Sequence, residues 1–166
     1  MEVDPYCVGV QFDVALEPVR SPGALSIINA AQDELDRRYG PEDTDKADLH
    51  LDDMTAPRGA FVVARCDGHL AGGVGVRSIG DPKGHAGEIK RLWVRPDLRG
   101  SGVAHLVMQC AEAAARELNL TRLYLETGPR QPEAQAFYTK TGWQRVDSFP
   151  DGAFAYPLGI KYAKDV

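Results

Sequence analysis

A glycine-bearing loop that runs straight into a helix is a chemical device, and this chain carries one at Arg99-Gly100-Ser101-Gly102-Val103-Ala104. Before it, Leu92-Trp93-Val94 reads as the end of a strand and Arg95-Pro96-Asp97 as a turn. After it, apolar residues recur at helical spacing. A helix entered in this way has several backbone N–H groups without helical partners at its start, where the dipole also favours negative charge. The glycines let the chain take φ values closed to other residues and let a ligand touch bare backbone. The predicted chemistry is a cradle for a pyrophosphate, with Arg99 able to add a direct phosphate contact. A strand–helix connection without a ligand is the plainer reading of an isolated Gly-x-Gly, and these residues alone leave it open. Two other nucleotide devices are excluded. The chain has no G-x-x-x-x-G-K-S/T, and the position that would complete G-x-G-x-x-G is His105.

Elements on both sides must hold that loop. Val8, Val10, Phe12, Val14 and Leu16 alternate and predict a first strand within Val8–Val19. Ser21-Pro22-Gly23 supplies a cap and a helix-compatible proline. Ala24, Ile28, Ala31, Leu35 and Tyr39 then line one face of a helix that Gly40-Pro41 stops. From Glu42 to Asp53 the chain is acidic, with Lys46 alone opposing, and it reads as a short helix or a loop. Phe61–Cys66 and His69–Arg77 form a hairpin about Asp67-Gly68, and Asp81-Pro82-Lys83-Gly84 turns the chain again. Glu88–Val94 is a strand. The helix from Gly102 to Leu118 puts Val103, Leu106, Val107, Cys110, Ala113, Ala114 and Leu118 on one face. Leu123–Glu126 is a short strand and Pro132–Lys140 a helix, with two final strands near Trp143–Phe149 and Ala153–Lys161. Hairpins mixed with two strand–helix–strand crossovers give an α/β fold, a mixed sheet with helices on both faces.

The chain has 166 residues, which suit one domain over 1–166. With 19 basic against 24 acidic residues the net charge is −5, which argues against a general nucleic-acid binder. A composition 43% hydrophobic and 26% charged is that of a soluble globular protein, not a disordered one. Glu2, Asp4, Asp13 and Glu17 occupy the start where a secretory signal would need a basic and then an apolar region. No apolar run approaches the ~18 residues of a membrane span. Cys7, Cys66 and Cys110 are too scattered for a disulfide framework or thiolate zinc site, so a cytoplasmic location is expected. His50, His69, His85 and His105 show no ligand spacing, and no metal is expected.

The loop Arg99-Gly100-Ser101-Gly102-Val103-Ala104 resembles the R-x-x-G-x-G/A acetyl-CoA pyrophosphate loop of the GCN5-related N-acetyltransferases, the GNAT superfamily. Further segments resemble it in order and spacing, from the Phe61 hairpin to the last strands. Glu88-Ile89-Lys90-Arg91-Leu92-Trp93-Val94-Arg95-Pro96 is similar to the fourth strand. Leu125-Glu126-Thr127-Gly128, Ala134 and Phe137-Tyr138-x-x-x-Gly142-Trp143 are similar to the fifth strand and the helix after it. The resemblance implies a GNAT-like mixed, mostly antiparallel twisted sheet of about seven strands, splayed between strands 4 and 5. Pantetheine would enter that splay and pair with main-chain groups of Leu92, Trp93 and Val94 like an added strand. A free N–H there would hold the thioester carbonyl and its developing oxyanion. The diphosphate would rest on the amides of Gly100, Ser101, Gly102, Val103, Ala104 and His105. Gln131, seven residues before Tyr138, stands where the family often has an Asn contacting CoA; the amide is kept, the residue differs.

The reaction so implied moves acetyl from acetyl-CoA to a primary amine by direct attack in a ternary complex. The amine must lose a proton and the leaving thiolate must gain one. Tyr138 is the expected acid, against the alternative of a core tyrosine under the sheet. Two carboxylates compete as base, Glu88 taken first and Glu126 second, with solvent as the remaining choice. Glu88 matches the base of the superfamily's histone-modifying members, and Glu126 a glutamate used by its ribosomal-protein members. Glu88 shares a face with Leu92 roughly 13 Å along the strand at ~3.3 Å per residue, and it could instead pair with Lys90, Arg91 or another sheet cation. By the same resemblance the acidic 42–53 segment lies at the lip of the acceptor site, where it could attract a cationic amine. Phe149, Phe154 and Tyr156 would wall the acceptor pocket or belong to the core. No Cys or Ser stands beside a candidate base, so no acyl-enzyme is expected. The partners are acetyl-CoA and an amine acceptor, with no nucleic acid and no membrane; a homodimer is left open. Two alternatives stand: a non-catalytic acyl-CoA-binding module, and an acyltransferase using a longer acyl-CoA or a carrier-protein donor.

Overall fold

Proline and glycine set the limits of the first two elements. In the computed structural model, which describes residues 11–42, 50–80, 83–153 and 155–166, strand β1 is Phe12–Glu17. It is shorter than the alternation predicts because Pro18 has no N–H for the ladder; its carbonyl accepts the Ser21 N–H at 2.8 Å in a turn instead. Residues 8–10 of the expected strand lie outside the described residues. Helix α1, Pro22–Tyr39, begins where Ser21 Oγ accepts the Ala24 N–H at 3.1 Å, and ends at Gly40. Of the acidic stretch, Leu51–Met54 forms a single 3-10 turn, and residues 43–49 lie outside the described residues.

The remaining elements are β2 (Gly59–Cys66), β3 (His69–Ser78), β4 (Ala86–Val94), α2 (Val103–Glu117), β5 (Arg122–Thr127), α3 (Pro132–Lys140), β6 (Gln144–Val146) and β7 (Ile160–Asp165). The last strand starts later than the expected Ala153. Pro150 and Pro157 lack N–H groups, and local turns close on them: Ala153 N–H donates to Pro150 O and Gly159 N–H to Tyr156 O, both at 3.1 Å. The segment before β7 is therefore a loop.

The sheet runs β1-β2-β3-β4-β5-β7-β6. Every neighbouring pair is antiparallel except β4–β5, which is parallel. Along β2, Phe61 and Val63 face α1 and Met54, while Val62 and Ala64 face α2; the period of two buries both faces. Among the described residues no helix is long and apolar enough to cross a membrane.

The β4–β5 pairing is brief. Ala86, Gly87 and Glu88 pair with Arg122, Leu123 and Tyr124, and beyond them the strands part. The cause lies on the other edge of β4. Gly75 pairs with Lys90 but Gly73 pairs with Trp93, so Arg91 and Leu92 oppose Val74 alone. Arg91 takes φ +58° to make this bulge. A bulge bends its strand and sharpens the local twist, which carries the end of β4 away from β5.

Candidate active site

The opening between β4 and β5 is a slot of about 100 Å³, with Ile89 and Leu92 on one wall, Leu125 and Glu126 on the other, and Tyr138 at its α3 side. It widens into a cavity of about 360 Å³ that reaches Leu35 and Tyr39 of α1 and the loop before β7. Glu126, Arg91 and Gln131 border both spaces. The two form one passage.

Strand alternation places the groups in it. Leu123, Leu125 and Thr127 of β5 are buried, and Glu126 points to the opposite face. Its carboxylate accepts the Tyr156 N–H, at 3.2 Å through one oxygen and 2.9 Å through the other. Burial pushes the Glu126 pKa up to about 7; the Tyr156 N–H and then Lys90 pull the other way. Tyr138 is only 6% exposed, its ring 5.7 Å from that of Tyr162 and 6.1 Å from that of Trp143. Burial raises its phenol well above the ordinary range, so the proton stays on.

Glu88 is engaged elsewhere. Its side chain is 1% exposed, and Arg77, opposite it on β3, donates Nε at 3.0 Å and Nη2 at 2.8 Å to Oε2. Lys90 Nζ stands 3.6 Å from Oε1. Of the sheet cations that were the alternative to a base role, Lys90 is present at Glu88, and Arg77 is the closer partner. Removing one member of such a buried pair leaves the other charge uncompensated. Glu88→Gln is therefore expected to lower the unfolding free energy by about 3 kcal/mol in a denaturant titration.

At the glycine loop, Gly100 has φ +84° and Gly102 φ +95°, and a Cβ built on either would meet open space. Gly102 is the N-cap of α2, and no side chain caps the helix start. The amides of Val103, Ala104 and His105 thus begin α2 without helical acceptors. Ser101 donates both its Oγ, at 2.5 Å, and its backbone N–H, at 3.2 Å, to Leu98 O, so the expected diphosphate contact of the Ser101 amide is taken up within the turn. Arg99 donates Nε to Val94 O at 3.1 Å and pairs through Nη2 with Glu34 at 2.6 Å, tying the loop to α1. The His105 ring is exposed and lies edge-on to Phe137 at 5.0 Å. Leu92, Trp93 and Val94 lie on the β4 edge past its last pair with β5; Trp93 leans on the α1 cluster, Leu92 and Val94 on the α2 cluster. Gln131 caps α3, and its Oε1 accepts the Gly128 N–H at 3.0 Å.

Three contributors were not legible beforehand. The Arg91 bulge depends on register with β3, and the only trace of it in sequence is the run Gly72-Gly73-Val74-Gly75. Tyr39 reaches from α1 to accept the Arg130 N–H at 2.9 Å, over a Gly128 that has no room for a Cβ. Arg130 itself lines the cavity. Of the aromatic residues expected to wall it, Tyr156 does, Phe149 instead packs on Tyr124 at 5.5 Å, and Phe154 lies outside the described residues.

A splayed parallel pair in a seven-stranded mixed sheet, with a glycine loop leading into the next helix, is the architecture that the sequence resemblance implies. The chain belongs to the acetyltransferase (GNAT) family: residues 26–143 match the family's sequence model. It is an N-acetyltransferase of that acetyl-CoA-dependent class. An IAA acetyltransferase of Azospirillum brasilense is 35% identical over 125 residues, 74% of this chain and 78% of that one. The N-acetyltransferase YjgM of Escherichia coli K12 is 30% identical over 105 residues, 61% of this chain and 63% of that one. In fold it is similar to a GNAT-family acetyltransferase of Staphylococcus aureus Mu50, with TM-score 0.74, 14% identity and coverage of 93% and 99%. It is also similar to the PaiA N-acetyltransferase of Thermoplasma acidophilum, solved with coenzyme A, with TM-score 0.67, 13% identity and coverage of 94% and 99%.

Proposed function

We propose that the chain, acting as one domain over 1–166, transfers acetyl from acetyl-CoA to a primary amine by direct attack. One observation carries this reading: Glu126 and Tyr138 both line the β4–β5 slot. Acetyl-CoA supplies the activated thioester. The open backbone at Gly100 and Gly102 and the uncapped start of α2 suit its diphosphate, and the free edge of β4 from Leu92 to Val94 suits its pantetheine. With Oε1 of Gln131 committed to Gly128, its amide nitrogen is the end available to donate to pantetheine.

Glu126, rather than Glu88, takes the amine proton. A base works best with a pKa near the operating pH, and Glu126 is held at about 7, whereas Glu88 is locked onto Arg77. The amine nitrogen bonds to the acetyl carbon, the C–S bond breaks, and Tyr138 returns a proton to the sulfur. The test is thiol release from acetyl-CoA across an amine panel, with the acetylated product identified by mass spectrometry. Tight acetyl-CoA binding with no amine-dependent thiol release would leave a binding module instead.

The Glu126 assignment has two further consequences. In wild type, kcat/KM should rise with pH through about 7 as the carboxylate ionises, and Glu126→Gln should lose that limb and run about 10²-fold slower. Stability should move the other way. Because the folded pKa lies above the unfolded one, folding loses stability as pH rises from the ordinary carboxylate range to about 7, and no further above it. Glu126→Gln should therefore melt higher than wild type at pH 8 and close to it below pH ~4.5. Equal melting differences at both pH values would contradict the raised pKa.

A further inference from the structure

The wide cavity that meets the slot has a charge pattern of its own. Lys90, Arg91 and Arg130 line it, against the carboxylates of Glu88 and Glu126. Glu88 is held by Arg77 from behind and faces Lys90 within the cavity, and Arg91 donates to Gln32. The cation that an acceptor meets at the exposed mouth is Arg130.

Arg130 is the member placed to do something with it. It lies four residues past Glu126, in the loop between β5 and α3. Its Nη1 donates to Arg38 O at 2.9 Å, its guanidinium carbon lies 5.7 Å from the Tyr39 ring centre, and its backbone N–H is held by Tyr39 Oη. The side chain is exposed yet fixed from two sides. A planar guanidinium already held in place loses little freedom when it takes a carboxylate through paired N–H groups. Beyond it the mouth is apolar, with Leu158 82% exposed.

We propose that the acceptor is an amino acid with an apolar side chain, bound with its carboxylate on Arg130 and its amine toward Glu126. This rests on the acetyl-transfer reading above and names its substrate class. The probes are matched pairs with and without the carboxylate: leucine against 3-methylbutylamine, and phenylalanine against 2-phenylethylamine. Spermidine serves as the polycation, all at saturating acetyl-CoA. The kcat/KM for each amino acid should exceed that for its decarboxylated partner, and for spermidine, by about tenfold or more. Arg130→Gln should shrink the leucine preference by roughly tenfold or more, mainly through KM, and Arg130→Lys should fall between. Equal use of leucine and 3-methylbutylamine, preference for spermidine, or an Arg130→Gln effect on acetyl-CoA KM alone would overturn the proposal. Thiol release with none of the amines would remove the acetyl-transfer reading, and this inference with it.

Discussion

Replacing Tyr138 by phenylalanine is expected to lower kcat by ~10²–10⁴ while changing acetyl-CoA affinity only a few-fold, the range for loss of a general acid. The ring packs among Tyr162, Trp143 and Phe137, and phenylalanine keeps that packing. What disappears is one proton at the wall of the slot. Burial raises the phenol's pKa, so the proton is in place at every physiological pH when the C–S bond begins to break. Stability should fall by about 1 kcal/mol at most, the usual worth of one hydrogen bond. Steady-state rates on one amine, beside calorimetric acetyl-CoA binding, separate the two effects. A purified variant that turns over at the wild-type rate would give the proton to water.

Gly102→Glu should weaken acetyl-CoA binding by more than about 100-fold in a protein that remains folded. Two effects act together. A carboxylate would stand in the open space before the α2 amides, where a diphosphate needs positive potential, and a side chain at φ +95° carries a backbone strain of about 1–2 kcal/mol. Gly102→Ala separates them, since it shares the strain and adds one methyl group but no charge; its affinity should lie between. Circular dichroism checks folding and calorimetry reads the affinity. A folded Gly102→Glu protein with unchanged affinity would dismiss the loop as the diphosphate site.

The elements with strong local signals were legible in the chain itself. Ser21-Pro22 and Gly40 bracket α1, Asp67-Gly68 joins β2 to β3, and Pro132–Lys140 is α3, because caps, turns and prolines act over a few residues. The glycine loop was legible for the same reason, since the φ values it needs belong to glycine. The family resemblance rests on these local segments, and so does the expectation of a splay after the fourth strand. The terminal strands were harder: strands are expected near Trp143–Phe149 and Ala153–Lys161, yet β6 ends at Val146 and β7 begins only at Ile160, after Pro150 and Pro157.

The different surroundings of the two glutamates were decided by tertiary structure. Along their strands Glu88 and Glu126 are both acids among apolar neighbours. Only register shows that Arg77 lies opposite Glu88, and only the loop before β7 delivers the Tyr156 N–H to Glu126. The same holds for the Arg91 bulge that opens the slot and for Tyr39, which fixes Arg130 from a helix far away in sequence. A residue's conformational preference is set by atoms within a turn or two, so sequence determined where helices, turns and the glycine loop begin and end. A carboxylate's proton affinity is set by whatever charge and solvent surround it in space, and that was decided when the sheet paired and the loops closed over it.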